Sequence, residues 1–456
     1  MSEPFSLSDF EVADRAALRR VPSLSTELEE ITEVEYRKLR IEKVVLAGVW
    51  ISGSWQEATR SLEELARLAE TAGSIVLSGV IQRRDVPDTA TYIGSGKALE
   101  LKKIVAETQA DTVIFDGELS PGQLRHLEDT VKVKVIDRTW LILDIFAQHA
   151  KSRDGKAQVS LAQMQYMLPR LRGWGDALSR QAASGGSVGI GTRGPGETKL
   201  ETDRRRIRDS MVKLRREIKE MARTRDTQRA VRRKSNTPAV AIAGYTNAGK
   251  SSLLNRITGS HVLVEDALFA TLDTTVRKAQ APSGREVTIS DTVGFVRHLP
   301  HQLVDAFRST LEEVSDADVL LHLVDASDTD PRGQYLAVRE VLSEIGADNI
   351  REILVLNKID LLSKEQREDL EHEFFGAIFV SAHSGEGFEN LWQVIESNLP
   401  EPTIEFFGVI PYARGDLLAK IHNEGKLKSL NNLEVGMEVE ALVPAELAHQ
   451  LNLAKV

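Results

Sequence analysis

The stretch Pro238-Ala-Val-Ala-Ile-Ala-Gly-Tyr-Thr-Asn-Ala-Gly-Lys-Ser251 decides the fold of this chain. Its apolar first half predicts a buried strand, and Ser252-Leu-Leu-Asn-Arg-Ile257 after it predicts a helix. Between them, Gly244 to Ser251 has the GxxxxGK[S/T] spacing, which indicates phosphate binding when a strand precedes it and a helix follows. Glycines let backbone N–H groups turn toward an anion, and the helix N-terminus adds partial positive charge. The stretch therefore predicts a nucleotide-binding α/β domain.

Each residue type in this loop has an expected contact. Lys250 can reach the β- and γ-phosphates, and the Ser251 hydroxyl can ligate Mg²⁺. A chance match in a glycine-containing loop is the alternative, and the flanking strand and helix argue against it. The nucleotide contacts expected from this segment are Gly244, Tyr245, Thr246, Asn247, Ala248, Gly249, Lys250, Ser251 and Ser252.

A second stretch, Asp291-Thr-Val-Gly294, follows the apolar run Val287-Thr-Ile-Ser290. A carboxylate at a strand tip beside a phosphate loop holds Mg²⁺, directly or through water. Gly294 leaves room for its backbone N–H to meet the γ-phosphate. Asp291 and Gly294 are therefore also expected to contact the nucleotide. Asp291 joins Ser251 as an expected metal ligand, and Lys250 and Gly294 are the expected catalytic groups.

Two later stretches specify the base. In Asn357-Lys-Ile-Asp360, at the end of Ile353-Leu-Val-Leu356, the final carboxylate can accept hydrogen bonds from N1–H and the exocyclic amine of guanine. Adenine presents the opposite donor pattern and would leave that carboxylate unpaired. In Ser381-Ala382, after Ala377-Ile-Phe-Val380, a backbone N–H can donate to guanine O6. The expected base contacts are Asn357, Lys358, Asp360, Ser381 and Ala382.

Each of these stretches alone could arise by chance, but their order and their positions at strand ends are typical of one class of protein. Over residues 237–400 the chain resembles a P-loop GTPase, which implies GTP and GDP as ligands together with Mg²⁺. GTPases of this class sense Mg²⁺ and the γ-phosphate with a threonine between the phosphate loop and DxxG. Thr271, Thr274 and Thr275 are candidates, and Phe269-Ala-Thr-Leu-Asp273 favours Thr271 as metal ligand and catalytic residue. A strand-capping threonine cluster is the alternative.

Phe295 follows Gly294, where many regulatory GTPases place a glutamine that orients the attacking water. A phenyl ring cannot orient water by hydrogen bonding. The sequence therefore predicts slow intrinsic hydrolysis that a partner must accelerate. The alternative is that Phe295 only packs, with the water held by another group.

Length and composition indicate a globular protein with several domains. A chain of 456 residues predicts several domains, and its 41% apolar and 28% charged residues are ordinary for a globular protein. It contains no cysteine, which excludes disulfide partners and thiolate metal sites. No apolar run approaches the ~20 residues that cross a bilayer, and the N-terminus lacks the features of a secretion signal. A cytoplasmic monomer without a membrane partner is expected.

The charge distribution is uneven. The net charge is −10, yet the segment from Arg204 to Lys234 has fourteen Lys and Arg against four acids, a balance of +10. Such asymmetry is typical of a local polyanion site.

A glycine-rich stretch comes just before this basic segment. It reads Ser184-Gly-Gly-Ser-Val-Gly-Ile-Gly-Thr-Arg-Gly-Pro-Gly-Glu-Thr-Lys199. So many glycines are costly to order unless a partner orders them. One interpretation is a flexible connector, and the other is a tip that enters a crowded RNA site. The candidate RNA contacts are Gly185, Gly186, Gly189, Gly191, Arg193, Gly194, Gly196, Lys199, Arg204, Arg205 and Arg206.

Periodicity predicts the remaining organisation as an α/β multidomain chain. Strand and helix patterns alternate between residues 43 and 136, which favours a mostly parallel sheet. Within it, Gly94-Ser-Gly-Lys97 is either a glycine turn or a small anion site for a nucleotide or RNA phosphate. Apolar stripes in residues 144–180, with a kink at Pro169, and at Ile207, Met211, Leu214, Ile218 and Met221 predict an antiparallel coiled-coil hairpin. The predicted units are a mobile arm at 1–40, an α/β domain at 41–138, the basic hairpin at 139–235, a doubly wound, mostly parallel P-loop GTPase domain at 236–400 and a small α+β domain at 401–456.

This order of units resembles the HflX family, in the Obg–HflX group of translation-associated GTPases. The resemblance rests on Gly194-Pro-Gly-Glu-Thr-Lys199, Phe269-Ala-Thr-Leu-Asp273 and Asp291-Thr-Val-Gly-Phe295, and it covers residues 40–456. It implies a factor that binds the large (50S) ribosomal subunit and its rRNA near the peptidyl-transferase centre. In its GTP form such a factor splits stalled or stress-idled 70S ribosomes, and ribosome-stimulated hydrolysis resets it. A large-subunit assembly GTPase and a signalling GTPase with a protein partner are the alternatives.

Overall fold

The computed structural model describes residues 43–171, 195–234, 237–259, 268–269, 271–272, 274–297, 303, 308–400 and 404–455. The predicted N-terminal arm, with its helix near residues 27–39, lies outside the described residues, and so does most of the glycine-rich loop. In the described part of the chain, every helix is too short or too polar to span a bilayer.

The N-terminal unit is a four-stranded parallel sheet with the strand order β2-β1-β3-β4. Helices connect its strands, as the alternating pattern predicted. The serines Ser54 and Ser120 begin two of these helices with capping boxes. The sequence pattern predicts the final strand at 131–136, but it begins at Lys134, because the preceding helix runs to Val131 and ends where Lys132 takes a φ of 63°. The elements are β1 Lys43–Trp50, α1 Trp55–Thr71, β2 Ile75–Arg83, α2 Ser95–Thr108, β3 Thr112–Asp116, α3 Pro121–Val131 and β4 Lys134–Asp137.

Three helices follow: α4 Arg138–His149, α5 Arg153–Arg170 and α6 Pro195–Lys234. The expectation of one helix across 144–180 was wrong, because Ser152 accepts a hydrogen bond from the Gly155 N–H and starts a new helix. Pro169 lies in the last turn of α5. The residues buried along α5 include Val159 and Tyr166, whereas the predicted stripe through Leu161 is only half-buried.

Helices α5 and α6 pack against each other as the predicted hairpin. Arg153 and Asp154, in the first turn of α5, form ion pairs with Glu217 and Arg225 in the later half of α6. In an antiparallel pair of helices, the start of one helix lies beside the later half of the other, as these ion pairs show. The predicted seam of α6 is the less exposed face of that helix, with Met211 buried.

The next unit is a six-stranded sheet in the order β10-β9-β8-β5-β7-β6, parallel except for β6. The predicted doubly wound domain is confirmed. Strands β5 and β8 are almost wholly buried at its centre. Polar residues that follow the central strands meet at one edge, because the carboxyl ends of parallel strands point the same way. The elements are β5 Ala239–Gly244, α7 Lys250–Thr258, β6 Thr275–Gln280, β7 Glu286–Asp291, α8 Arg308–Ser315, β8 Val319–Asp325, α9 Pro331–Glu344, β9 Arg351–Asn357, α10 Lys364–Glu373, β10 Ile378–Phe379 and α11 Phe388–Asn398.

The C-terminal unit is a three-stranded antiparallel sheet, β11-β13-β12, covered by two helices. It has its own apolar core, which includes Phe406, Leu417 and Leu451. The sequence pattern predicts strands at 404–411 and 436–443 and a helix at 414–423, which correspond to β11, β13 and α12, but it does not predict β12 or α13. The elements are β11 Ile404–Ile410, α12 Gly415–Glu424, β12 Lys426–Leu433, β13 Gly436–Val443 and α13 Ala445–Ala454.

Candidate active site at the carboxyl edge of the central sheet

The loop between β5 and α7 has two residues in the left-handed region of backbone conformation. Asn247 has a φ of 60° and Gly249 a φ of 91°. Such backbone turns direct N–H groups toward one side and form a concave anion site. A Cβ on Gly249 would lie 2.3 Å from Nδ2 of Asn357, so a larger side chain does not fit there. The loop therefore has the shape that phosphate binding requires.

Lys250 begins α7 and is 6% exposed. Its ammonium donates to the Tyr245 carbonyl oxygen at 2.8 Å. Burial lowers the pKa of Lys250 to about 8, although the nearby Asp291 carboxylate opposes the shift. Burial also raises the pKa of Asp291, against the opposing effect of Lys250. A bound polyphosphate would add negative charge to that of Asp291 beside the Lys250 ammonium and would favour its charged form.

Three of the predicted metal ligands come together below the loop. Ser251 Oγ lies 2.6 Å from Oδ2 of Asp291 and 2.9 Å from Oγ1 of Thr271. Asp291 is fully buried, and its Oδ1 is without a hydrogen-bond partner among the described residues. An oxygen cluster with one unsatisfied carboxylate oxygen fits Mg²⁺, which prefers oxygen ligands and keeps several of its waters or phosphate oxygens. Thr275 is the strand-ladder partner of Asp291, and within the described part of the chain neither its side chain nor that of Thr274 is hydrogen-bonded to this oxygen cluster, whereas the Thr271 hydroxyl is.

Gly294 and Phe295 lie directly against the phosphate loop. A Cβ on Gly294 would meet Thr246 Cγ2 at 2.8 Å and Lys250 Nζ at 3.0 Å. The Phe295 N–H donates to the Gly244 oxygen at 3.1 Å, and the Thr246 N–H donates to the Phe295 oxygen at 2.8 Å. The phenyl ring of Phe295 is fully buried. The structure therefore gives this ring a packing role, which is the alternative that the sequence left open.

Four of the five predicted base-reading residues form part of the wall of a cavity of about 560 Å³ next to the loop, and the fifth, Ser381, is fully buried and contacts it through Asp360. Ser381 Oγ donates to Oδ1 of Asp360 at 2.6 Å, which orients the carboxylate. The sequence did not single out four other residues of this wall, because nothing in their local pattern marks them. The lining residues are Gly249, Ser252, Asn255, Arg256, Asn357, Lys358, Asp360, Leu361, Ala382 and His383.

Asn357 joins the two halves of the site. Its Nδ2 donates to the Ala248 oxygen at 2.8 Å, and its Oδ1 accepts from the Ala382 N–H at 3.0 Å. The side chain is 1% exposed, so these bonds fix the phosphate loop relative to the base cavity. Next to it, the Lys358 ammonium pairs with Asp325 at 2.6 Å.

The candidate RNA contacts lie in a different part of the chain. Arg205 and Arg206 are exposed on α6, and Arg204 is half-buried. Gly196 and Lys199 belong to the first turns of α6, where the structure describes the backbone only. The other six, Gly185, Gly186, Gly189, Gly191, Arg193 and Gly194, lie outside the described residues.

Known proteins match this chain along most of its length. Three family models match, described as GTP-binding GTPase N-terminal at residues 59–147, GTP-binding GTPase Middle Region at 149–232 and 50S ribosome-binding GTPase at 239–358. GTPase HflX of Caldanaerobacter subterraneus subsp. tengcongensis is 44% identical over 434 residues, covering 90% of this chain and 98% of the relative. GTPase HflX of Escherichia coli K12 is 41% identical and covers 84% of this chain and 88% of its own length.

Solved structures match over a similar length. A GTP-binding protein from the hyperthermophilic archaeon Sulfolobus solfataricus, crystallised with GDP, is 25% identical at a TM-score of 0.39. The match covers 78% of this chain and 98% of that protein. The full-length relatives, the three family models and the confirmed P-loop domain lead to one conclusion. This chain belongs to the HflX family of GTPases, and it is a P-loop enzyme that binds GTP and GDP and hydrolyses GTP.

Proposed function

We propose that this GTPase binds the large (50S) ribosomal subunit through its rRNA and dissociates stalled or idle 70S ribosomes under stress. Contact with the ribosome stimulates GTP hydrolysis, which resets the factor. The place of action is the cytoplasm, where ribosomes work. The proposal extends the established GTPase activity to a particular partner.

The observation that carries this proposal is the surface of α6. Among residues 201–225, eight cations are exposed, against the exposed carboxylates of Glu201, Asp209 and Glu220. The opposite face of the helix packs on α5, so the hairpin presents these charges to solvent as one basic surface. Such a surface fits a phosphate backbone, which binds basic side chains and releases counterions. The exposed cations are Arg205, Arg206, Arg208, Lys213, Arg215, Arg216, Lys219 and Arg223.

Two further points support the ribosome as partner. The family model matched by the GTPase domain is described as a 50S ribosome-binding GTPase. In the sequence, the glycine-rich stretch Ser184–Lys199 lies between the end of α5 and the first turns of α6. In the proposed complex this stretch approaches rRNA near the peptidyl-transferase centre, with Arg193 and Lys199 at phosphates.

The proposed chemistry assigns roles to the residues of the site. Mg²⁺ would be held by Ser251, Asp291 and Thr271, and when bound it neutralises charge on the β- and γ-phosphates. Lys250 would stabilise charge that develops on the transferring phosphoryl group. The Gly294 N–H would hold the γ-phosphate, and Asp360 would accept the two N–H donors of guanine.

The central test is GTP turnover with and without purified large subunits. Wild type should be stimulated strongly, and deletion of residues 185–198 should remove the stimulation while basal turnover remains. A second variant, Arg205→Glu with Arg206→Glu, Arg215→Glu and Arg216→Glu, should lose subunit binding and its steep salt dependence. Lys102→Glu with Lys103→Glu, on the exposed face of α2, is the control for reversed surface charge. Unchanged binding of the α6 variant at all salt concentrations would favour a signalling GTPase with a protein partner.

Sucrose gradients distinguish splitting from subunit assembly. Cells without a splitting factor accumulate idle 70S particles, whereas cells without an assembly factor accumulate immature large subunits. Purified protein with GTP should convert isolated 70S particles into subunits. Immature subunits in the depleted cells, with no splitting by purified protein, would replace this proposal with the assembly alternative.

A further inference from the structure

Helix α1 of the N-terminal unit contributes a buried carboxylate to the GTPase domain. Glu64 is 9% exposed and accepts hydrogen bonds from the Tyr245 hydroxyl and the Arg138 guanidinium. The Arg297 N–H lies 3.3 Å from the same carboxylate. Tyr245 belongs to the phosphate loop, and Arg297 lies three residues after Gly294. One side chain of the N-terminal unit therefore contacts both segments that surround the γ-phosphate position.

Both backbone polar groups of Arg297 are held in this network. Its N–H donates to the Tyr245 hydroxyl oxygen at 2.7 Å, and its carbonyl oxygen accepts from Nη2 of Arg138 at 3.0 Å. Arg138 is 3% exposed and also pairs with Asp116 of β3 at 2.8 Å. Buried charges that lose a partner are strongly penalised, so the members of the network fix one another's positions.

Helices α1 and α4 also contact the segment before Thr271. Phe146 of α4 packs edge-on against Phe269 with ring centroids 4.6 Å apart, and Thr71 of α1 lies 3.4 Å from the Leu268 N–H. The buried cores of the N-terminal unit and of the GTPase domain form one continuous cluster. Movement of the nucleotide-binding segments therefore has to be accommodated by α1 and α4.

We propose that Glu64 is a positioning residue for GTP hydrolysis, which holds the Gly294–Arg297 segment against the phosphate loop through Tyr245 and Arg297. The N-terminal unit thereby favours the arrangement in which Gly294 meets the γ-phosphate. GDP lacks that phosphate, so the network matters for GTP and little for GDP. By thermodynamic reciprocity, a bound γ-phosphate also tightens the contact between α1 and the GTPase domain. This inference rests on the proposed contact between the Gly294 N–H and the γ-phosphate.

The test compares affinities of the full chain for a non-hydrolysable GTP analogue and for GDP. In Glu64→Gln and in Tyr245→Phe, the preference for the analogue over GDP should fall about tenfold or more, as expected for loss of a hydrogen bond to a charged group. In Glu64→Gln, GDP affinity should stay within about twofold, and kcat should fall in both variants. Glu70→Gln, on the exposed side of α1, is the matched control and should behave as wild type. Equal loss of both affinities, or no change in either, would overturn the proposal.

Two further measurements distinguish a failure of the Glu64 role from a failure of the proposed γ-phosphate contact. In wild type, amide exchange of α1 should be slower with the GTP analogue than with GDP, and equal exchange would overturn the proposal even if the variants fail to fold. Gly294→Ala should lose the preference for the analogue. If it does so while Glu64→Gln and Tyr245→Phe keep the preference, only the role of Glu64 fails. If Gly294→Ala keeps the preference, the proposed γ-phosphate contact fails, and the inference fails with it.

Discussion

The Asp360 carboxylate, the proposed acceptor for guanine, accepts a hydrogen bond from the Ser381 hydroxyl at 2.6 Å. We expect Asp360→Asn to weaken GTP binding by about 100-fold or more, because an amide cannot accept both N–H donors of guanine. Xanthine has a carbonyl oxygen in place of the exocyclic amine and can pair with an amide that both donates and accepts. The variant should therefore prefer XTP over GTP in competition binding. Asp369→Asn, an exposed change on α10, is the control, and a GTP preference preserved in Asp360→Asn would contradict the assignment.

The buried ring of Phe295 leads to a second prediction. Phe295→Gln should lower the free energy of unfolding by about 2–4 kcal/mol, because it removes apolar contacts and buries an amide. It should not raise intrinsic GTP turnover, since the residue packs into the core. Phe375→Gln is a matched control, because Phe375 is 97% exposed and should tolerate the change. Faster intrinsic hydrolysis by a fully stable Phe295→Gln protein would show that this position orients water.

At the residue scale, the sequence predicted the groups whose spacing is set by local geometry. Lys250 and Ser251 are adjacent in the loop, and Asp291 ends a strand beside it, so their convergence follows from strand order. Glu64 could not be predicted, because 181 residues separate it from the Tyr245 hydroxyl that it contacts. Only the packing of two units on each other brings those side chains together.

At the scale of elements, the end of α5 depends on one buried ion pair. Arg170 lies 3.3 Å from the fully buried Asp137, donates to the Leu119 oxygen at 2.7 Å and stacks on Tyr166. Arg170→Met should lower stability by about 3 kcal/mol, because it leaves the Asp137 carboxylate buried without its cation. Thermal or denaturant unfolding of the full chain measures this loss.

Arg153→Met, at the other end of α5, is the matched control. Arg153 pairs with Glu217 at 3.4 Å, but its side chain is 78% exposed. Exposed ion pairs contribute at most about 1 kcal/mol, so this variant should unfold close to wild type. Similar losses in Arg153→Met and Arg170→Met would contradict the view that burial decides the effect.

Element boundaries were predictable where a polar cap or a glycine coincides with the end of a hydrophobic pattern, and they failed elsewhere. The break between α4 and α5 depends on the N-cap of Ser152, which the apolar spacing across residues 144–180 does not record. Strand β12 was missed because Lys426-Leu-Lys-Ser-Leu-Asn-Asn-Leu433 is mostly polar and exposed. Such an edge strand takes its conformation from pairing with β13, and local composition does not record that pairing.

At the scale of the whole molecule, the units differ in whether their apolar cores are joined. The N-terminal unit and the GTPase domain share a continuous core, whereas the C-terminal unit has a separate one. Packed side chains therefore connect the GTPase domain to the N-terminal unit without a break. The GTPase domain connects to the C-terminal unit near Pro400, and there the Arg285 guanidinium donates a hydrogen bond to the Pro400 carbonyl oxygen.

Because the C-terminal unit has a separate apolar core, we expect the nucleotide site to function without it. Every residue of the site lies before Ser384, and the residues around Asp291 and Asn357 pack within the GTPase domain. A chain ending at Pro400 should therefore bind GDP with an affinity within about twofold of the full chain. Fluorescence titration with a labelled GDP measures this directly, and Lys250→Ala in the shortened chain supplies the control for specific binding. A tenfold loss of affinity in a shortened chain that unfolds at the same temperature would instead show that the C-terminal unit supports the site, through contacts to the turn at Gly284 near His422.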